Sequence, residues 1–182
     1  MRQALAAMSP DLRRSESLRA CETVSNSAVW RQARTLLLYA PLPEELDVSP
    51  LWFAALAEGK TLCLPRYHSD GDNYSAARVS DLARDLTPGH HGIREPAAAC
   101  PLISLNLLDF VLVPGLAFGS DGRRLGRGKG YYDRLLTGLS ALKCGIGFDL
   151  QWSEWIPQEP CDVLLDCILT PGRGFVWSPD RF

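Results

Sequence analysis

Gly126, Gly128 and Gly130 alternate with Arg127 and Lys129 in the middle of the chain. Before them stands the apolar run from Phe110 to Val113, which reads as a buried strand. After them come Tyr131, Tyr132, Asp133, Arg134, Leu135 and Leu136, which open a helix. Glycine lets a backbone approach a ligand closely and adopt positive φ, and the N–H groups at a helix start favour an anion. Arg123, Arg124, Arg127, Lys129 and Arg134 place five cations here, in a chain of formal net charge −2. A basic loop in a mildly acidic protein suits a compact anionic ligand rather than a nucleic-acid backbone. It is not a P-loop, because Lys129 is followed by Gly130 and not by Ser or Thr. Nor is it a dinucleotide fingerprint, because Tyr131 stands where the third glycine belongs. What the spacing offers is a cradle for phosphates; the plain alternative is a solvated basic loop.

Strands alternating with helices must position this loop. Ser9 and Pro10 read as the N-cap and first position of a helix running to about Val24, with Leu12, Leu18 and Cys21 facing inward. Ser27 caps a short helix through Trp30, and Thr35 to Ala40 forms a central strand. Ser49 and Pro50 repeat the cap, and Leu51 to Glu58 is a helix ended by Gly59. Strands are expected at Lys60–Pro65, Tyr74–Val79, Phe110–Val113, Cys144–Phe148 and Val163–Leu169, and a helix over Tyr131–Leu142. Pro65 and Pro96 are expected to end extended segments. The order implies a three-layer α/β fold, with a mostly parallel sheet flanked by helices. Ligands of such sheets bind beyond the carboxyl ends of the strands, and the glycine loop follows one such end. Glu44, Glu45 and Asp47 follow another; from residue type alone they either solvate a turn or face a ligand.

The 182 residues fit one domain, residues 1–182, with a proper core. No apolar run approaches the length of a membrane span, and the first residues carry no signal-peptide core. The expectation is a cytoplasmic monomer with no nucleic-acid or membrane partner. The six cysteines contain no Cys-x-x-Cys pair and read as free thiols. His90 and His91 lack a third ligand at metal-binding spacing. No Ser-His-Asp or Cys-His arrangement suggests hydrolysis.

Pro114 to Phe118, Gly122, and Arg124 to Asp133 closely resemble the signature of the 5-formyltetrahydrofolate cyclo-ligase family, also called methenyltetrahydrofolate synthetases. Leu64 to Arg66, Gly92 to Pro96, Gln151 and Pro157 also fit the family's order, so the likeness runs from Leu37 to Thr170. The resemblance implies a Rossmann-like fold and cyclisation of 5-formyltetrahydrofolate to 5,10-methenyltetrahydrofolate with ATP and magnesium. The formyl oxygen would take the γ-phosphoryl group. By the same resemblance, ATP is held by Arg2, Arg124, Leu125, Gly126, Arg127, Gly128, Lys129, Gly130, Tyr131 and Tyr132. The reduced folate is held by Ala40, Glu45, Arg127, Gly128, Lys129, Gly130 and Tyr131, with Glu45 on the pterin. Arg127 and Lys129 are the catalytic pair, and Asp133 and Asp162 hold Mg2+. The sequence departs from the family at Gly119, where Asp is usual, and at Cys161, where His is common. No residue upstream of Arg2 supplies a further phosphate-binding Lys. These departures keep a rival reading open, a non-catalytic nucleotide- or folate-binding member of the same fold. A sugar-phosphate isomerase leaves the glycine and tyrosine match unexplained.

Overall fold

The computed structural model describes residues 1–89 and 92–179, so the His90–His91 pair lies outside the described residues. Helices α1 (Arg2–Ala6), α2 (Pro10–Ser25) and α3 (Ala28–Gln32) lead into β1 (Thr35–Leu37), α4 (Ser49–Ala57) and β2 (Thr61–His68). Then come β3 (Asn73–Val79), the short β4 (Leu86–Pro88) and β5 (Arg94–Pro96), and β6 (Phe110–Val113). The chain continues through β7 (Ala117–Phe118), β8 (Arg124–Leu125), α5 (Tyr131–Leu136), β9 (Leu142–Ile146), β10 (Cys167–Thr170) and β11 (Gly174–Trp177).

Seven strands form one sheet in the order β11-β10-β9-β6-β1-β2-β3. The five central strands pair in parallel, and β3 and β11 close the two edges antiparallel. The central strands read as unbroken apolar runs because both faces are covered. Successive side chains point to opposite faces. Leu36, Leu38, Phe110 and Leu112 therefore join Trp30 and Trp52 in one core. Leu37, Val111 and Val113 join Leu135 and Leu136 of α5 in the other. The result is the expected three-layer, mostly parallel α/β sandwich, and among the described residues no helix is long and apolar enough to cross a membrane.

Several element boundaries differ from expectation, each for a local reason. Ser9 does cap α2, its hydroxyl accepting from the Leu12 N–H. The buried stripe of α2, however, is Ser17, Ala20, Cys21 and Val24, while Leu12 and Leu18 are 49% and 46% exposed. This stripe has helical spacing, and its small residues let α2 approach α4 closely. Ser49 is the first residue of α4 and not its cap; Asp47 Oδ1 accepts the Ser49 N–H at 2.9 Å instead. Helix α5 stops at Leu136, well before Leu142, because Leu142 is already needed beside Phe110 as the first residue of β9. Strand β1 is only three residues long, and β10 begins at Cys167 because Leu165 bonds instead to the Gly122 carbonyl. Strand β11 was not expected. Pro65 lies inside β2 rather than ending it. Its pairing with β1 ends at Cys63, so past that point β3 is the sheet partner of β2 among the described residues, and a missing N–H is tolerated. Pro96 does end β5.

Candidate active site

Two strand ends open the site. Beyond β1, Tyr39 and Ala40 lead into the loop that carries Glu44 and Glu45. That loop is pinned by the Tyr39 hydroxyl donating to the Leu46 carbonyl at 2.7 Å, and by Arg13 donating to the Glu44 carbonyl at 2.7 Å. Beyond β6, Pro114 and Gly115 lead into the β7–β8 hairpin. Buried Gln151 fixes this exit by donating to the Gly115 carbonyl at 2.7 Å while its own carbonyl accepts the Phe148 N–H. From β8 the chain runs through the alternating glycines into α5. Gly130 is the helix N-cap at φ +63°, and Gly128 sits at φ +89° with no atom within 4 Å of where a Cβ would stand. Both need the left-handed region that glycine enters freely.

The two ends and the glycine loop enclose one cavity of about 800 Å³. Every site residue expected from the sequence lines it except Arg2: Ala40, Glu45, Arg124 through Asp133, and Asp162. Arg2 is exposed on α1 and is not among the lining residues.

Three polar groupings organise the cavity. First, Arg127 reaches across to the β1 loop. Its Nη2 donates to Glu44 Oε1 at 2.9 Å and to Glu45 Oε1 at 3.2 Å, and its Nε donates to Glu45 Oε1 at 3.3 Å. Glu45 Oε2 accepts the Leu42 N–H at 3.0 Å, so both oxygens are engaged. Burial pushes the Glu45 carboxyl above the usual carboxylate range, and the Leu42 N–H and Arg127 only partly offset it. Second, Arg124 has a side chain only 4% exposed; its Nη2 donates to Asp133 Oδ1 at 2.9 Å and its guanidinium lies over the Tyr132 ring. Asp133 Oδ1 also accepts the Val163 N–H at 3.3 Å, which brings the neighbouring Asp162 to the same end of the cavity. The Arg124 Nε is buried without a hydrogen-bond partner. Third, Lys129 makes no ion pair among the described residues, which leaves its ammonium available to an anion.

The strands of the β2–β3 hairpin were expected, but not the part that the hairpin plays in the site. Tyr74 lines the cavity, and its ring meets Tyr131 edge-on at 5.2 Å. Asp72, in the turn, accepts the hydroxyls of both Tyr67 and Tyr131. The readable signal was the pair of tyrosines flanking a turn rich in Asp and Gly, which puts Tyr67 opposite Tyr74. All six cysteines are free, as expected; five are buried, and Cys161 is exposed on the cavity rim.

A family model described as the 5-formyltetrahydrofolate cyclo-ligase family matches residues 1–171. The 5-formyltetrahydrofolate cyclo-ligase of Mycolicibacterium smegmatis is 33% identical over 79% of this chain and 76% of its own. That of Escherichia coli K12 is 28% identical over 97% of this chain and 100% of its own. The solved structure of Aquifex aeolicus 5,10-methenyltetrahydrofolate synthetase superposes with a TM-score of 0.87 at 31% identity, covering 99% of this chain and 90% of that one. With its model match spanning residues 1–171, the chain belongs to the 5-formyltetrahydrofolate cyclo-ligase family of ligases.

Proposed function

We propose that this protein cyclises 5-formyltetrahydrofolate to 5,10-methenyltetrahydrofolate at the expense of ATP, with Mg2+ accompanying the nucleotide. One observation carries the reading: a phosphate-type glycine loop and a largely buried carboxylate, Glu45, line the same cavity of about 800 Å³. A pterin edge offers an amino group and a ring N–H side by side, and a carboxylate with two oxygens answers both. The triphosphate would lie along Gly126 to Gly130, with Arg127 and Lys129 on its oxygens.

The residues present fit a magnesium ion. Asp133 receives its two hydrogen bonds on Oδ1, and Asp162 accepts the Glu159 N–H on Oδ2, so each carboxylate keeps its other oxygen for a cation. Among the described residues no cluster of three or more His, Cys, Asp or Glu forms a closed metal site. Magnesium commonly takes one or two carboxylates and completes its shell with phosphate oxygens and water. Bound there, it would neutralise charge on the triphosphate.

The formyl oxygen attacks the γ-phosphorus, and the bond to the β-phosphate oxygen breaks to release ADP. N10 then attacks the activated formyl carbon and loses its proton. The carbon–oxygen bond breaks, phosphate leaves, and the methenyl bridge remains. Phosphoryl transfer needs positioning and charge neutralisation more than acid–base side chains. Arg127 and Lys129 supply the charge, Glu45 fixes the pterin, and Tyr131 offers a flat surface to the rings. The test is to mix the protein with ATP, magnesium and 5-formyltetrahydrofolate and follow the absorbance of the methenyl product. Binding of both substrates without product would leave a non-catalytic binding protein.

A further inference from the structure

Among the described residues, Asp72 is the one non-glycine with left-handed backbone, at φ +44°. Asp enters that region more readily than most residues. It ends the turn between β2 and β3 and gathers three side chains. Its Oδ1 accepts the Tyr67 hydroxyl and the Tyr131 hydroxyl, each at 2.9 Å. Its backbone carbonyl accepts Arg134 Nη2 at 2.6 Å, while Arg134 Nη1 donates to the Lys129 carbonyl at 3.0 Å. The Arg134 guanidinium also lies over the Tyr131 ring, 5.2 Å from its centroid.

A turn-stabilising aspartate would need only Tyr67. The contacts from Tyr131 and Arg134 come instead from α5, 59 and 62 residues away in sequence. Core packing does not demand them either, because the Asp72 side chain is 63% exposed. What the bonds accomplish is orientation. Tyr131 is held edge-on against Tyr67 at 5.8 Å and Tyr74 at 5.2 Å, and Tyr74 and Tyr131 together form an aromatic wall of the cavity. Glu45 of the acidic loop lines the same cavity as these two rings.

We propose that Asp72 is a positioning residue for the folate: by tying Tyr131 to the β2–β3 hairpin it fixes the aromatic wall on which the substrate's ring system lies. The proposal rests on the reading of this cavity as a reduced-folate site. A ring free to leave its rotamer must be ordered by the ligand, and that ordering weakens binding.

The test compares Asp72→Gly with Asp72→Asn and with the double variant Tyr67→Phe, Tyr131→Phe. Glycine keeps the positive φ and removes the carboxylate. Asparagine keeps both the φ tolerance and an acceptor oxygen. The double variant keeps Asp72 and all rings but removes both donors. Calorimetry gives the Kd for 5-formyltetrahydrofolate, and steady-state rates give KM for each substrate. Asp72→Gly should raise the folate Kd and KM by about three- to tenfold, with KM for ATP and kcat within about twofold. Asp72→Asn should stay near the parent, and the double variant, read by its folate Kd alone because Tyr131 lines the site, should reproduce the rise in folate Kd even if Asp72→Gly folds poorly. A parental folate Kd in Asp72→Gly or in the double variant overturns the proposal, as does an equal loss for ATP and folate in Asp72→Gly. A parent that binds no folate overturns the functional reading itself, a result distinct from either.

Discussion

Arg127 holds Glu45 across the mouth of the cavity, Nη2 to Oε1 at 3.2 Å, although the two residues are proposed to serve different substrates. The pair occupies the carboxylate oxygen that a pterin edge would need and the guanidinium that a triphosphate would need. A folate bound as proposed would compete with Arg127 for Glu45 Oε1, while Arg127 Nη1, which makes no contact among the described residues, can still meet a phosphate oxygen. Glu45→Gln should weaken folate binding about tenfold, the loss expected for one charge-assisted hydrogen bond. ATP binding should stay nearly intact, because Arg127 keeps Glu44 as a partner. Calorimetric titration of each substrate checks this, and equal folate affinity in variant and parent would refute it.

The same carboxylate carries a pH signature. Burial raises the Glu45 pKa in the folded state, so the folded protein binds a proton more tightly than the unfolded chain does. Its contribution to stability is therefore full below the unfolded pKa and declines as pH rises through the folded pKa. The unfolding free energy of the parent minus that of Glu45→Gln, measured by urea at several pH values from acid to neutral, should fall with rising pH. A difference that rises instead would mean the carboxyl is held low, not high.

Arg124 and Asp133 form the most enclosed ion pair of the site. Breaking such a pair from one side leaves an uncompensated buried charge, at a cost of about 3–5 kcal/mol. Asp133→Leu should lose stability on that scale in a urea titration. Asp133→Asn keeps an acceptor for Arg124 Nη2 and should lose much less, yet it should raise the magnesium concentration needed for half-maximal activity. An unchanged magnesium titration would reduce Asp133 to the partner of Arg124.

How much of this was legible depended on whether the cause was local. The Ser9 cap, the Phe110–Val113 strand and the glycine loop were readable because neighbouring residues determine them. The cavity lining followed from the loop and the strand ends. What escaped was set by distant partners. Of Leu12, Leu18 and Cys21, all expected inward, only Cys21 is buried; its partners in the stripe are Ser17, Ala20 and Val24, while the two leucines are exposed. One local device was also passed over: the Ser49 N–H goes to Asp47 Oδ1 two residues back, an Asx-type turn rather than a Ser cap. Asp72 was invisible because its partners sit on α5.

The glycine loop gives the sharpest test, since charge and shape can be removed separately. Arg127→Ala deletes a cation aimed at the triphosphate, and such a charge-assisted bond contributes about 1.5–3 kcal/mol. ATP affinity or turnover should therefore fall about ten- to a hundredfold. Gly128→Val removes no charge. The place its Cβ would take has no atom within 4 Å beyond the chain neighbours, so the Cβ meets no clash, and the main cost to the fold is the positive φ of +89°. A β-branched residue is disfavoured there, and it stands where a phosphate oxygen must approach the backbone. Gly128→Val should thus melt only a few degrees below the parent, yet lose ATP affinity or turnover about as severely as Arg127→Ala. If it melts near the parent and turns over substrate at the parental rate, the loop does not wrap phosphates, and Arg127 and Lys129 belong to a solvated surface.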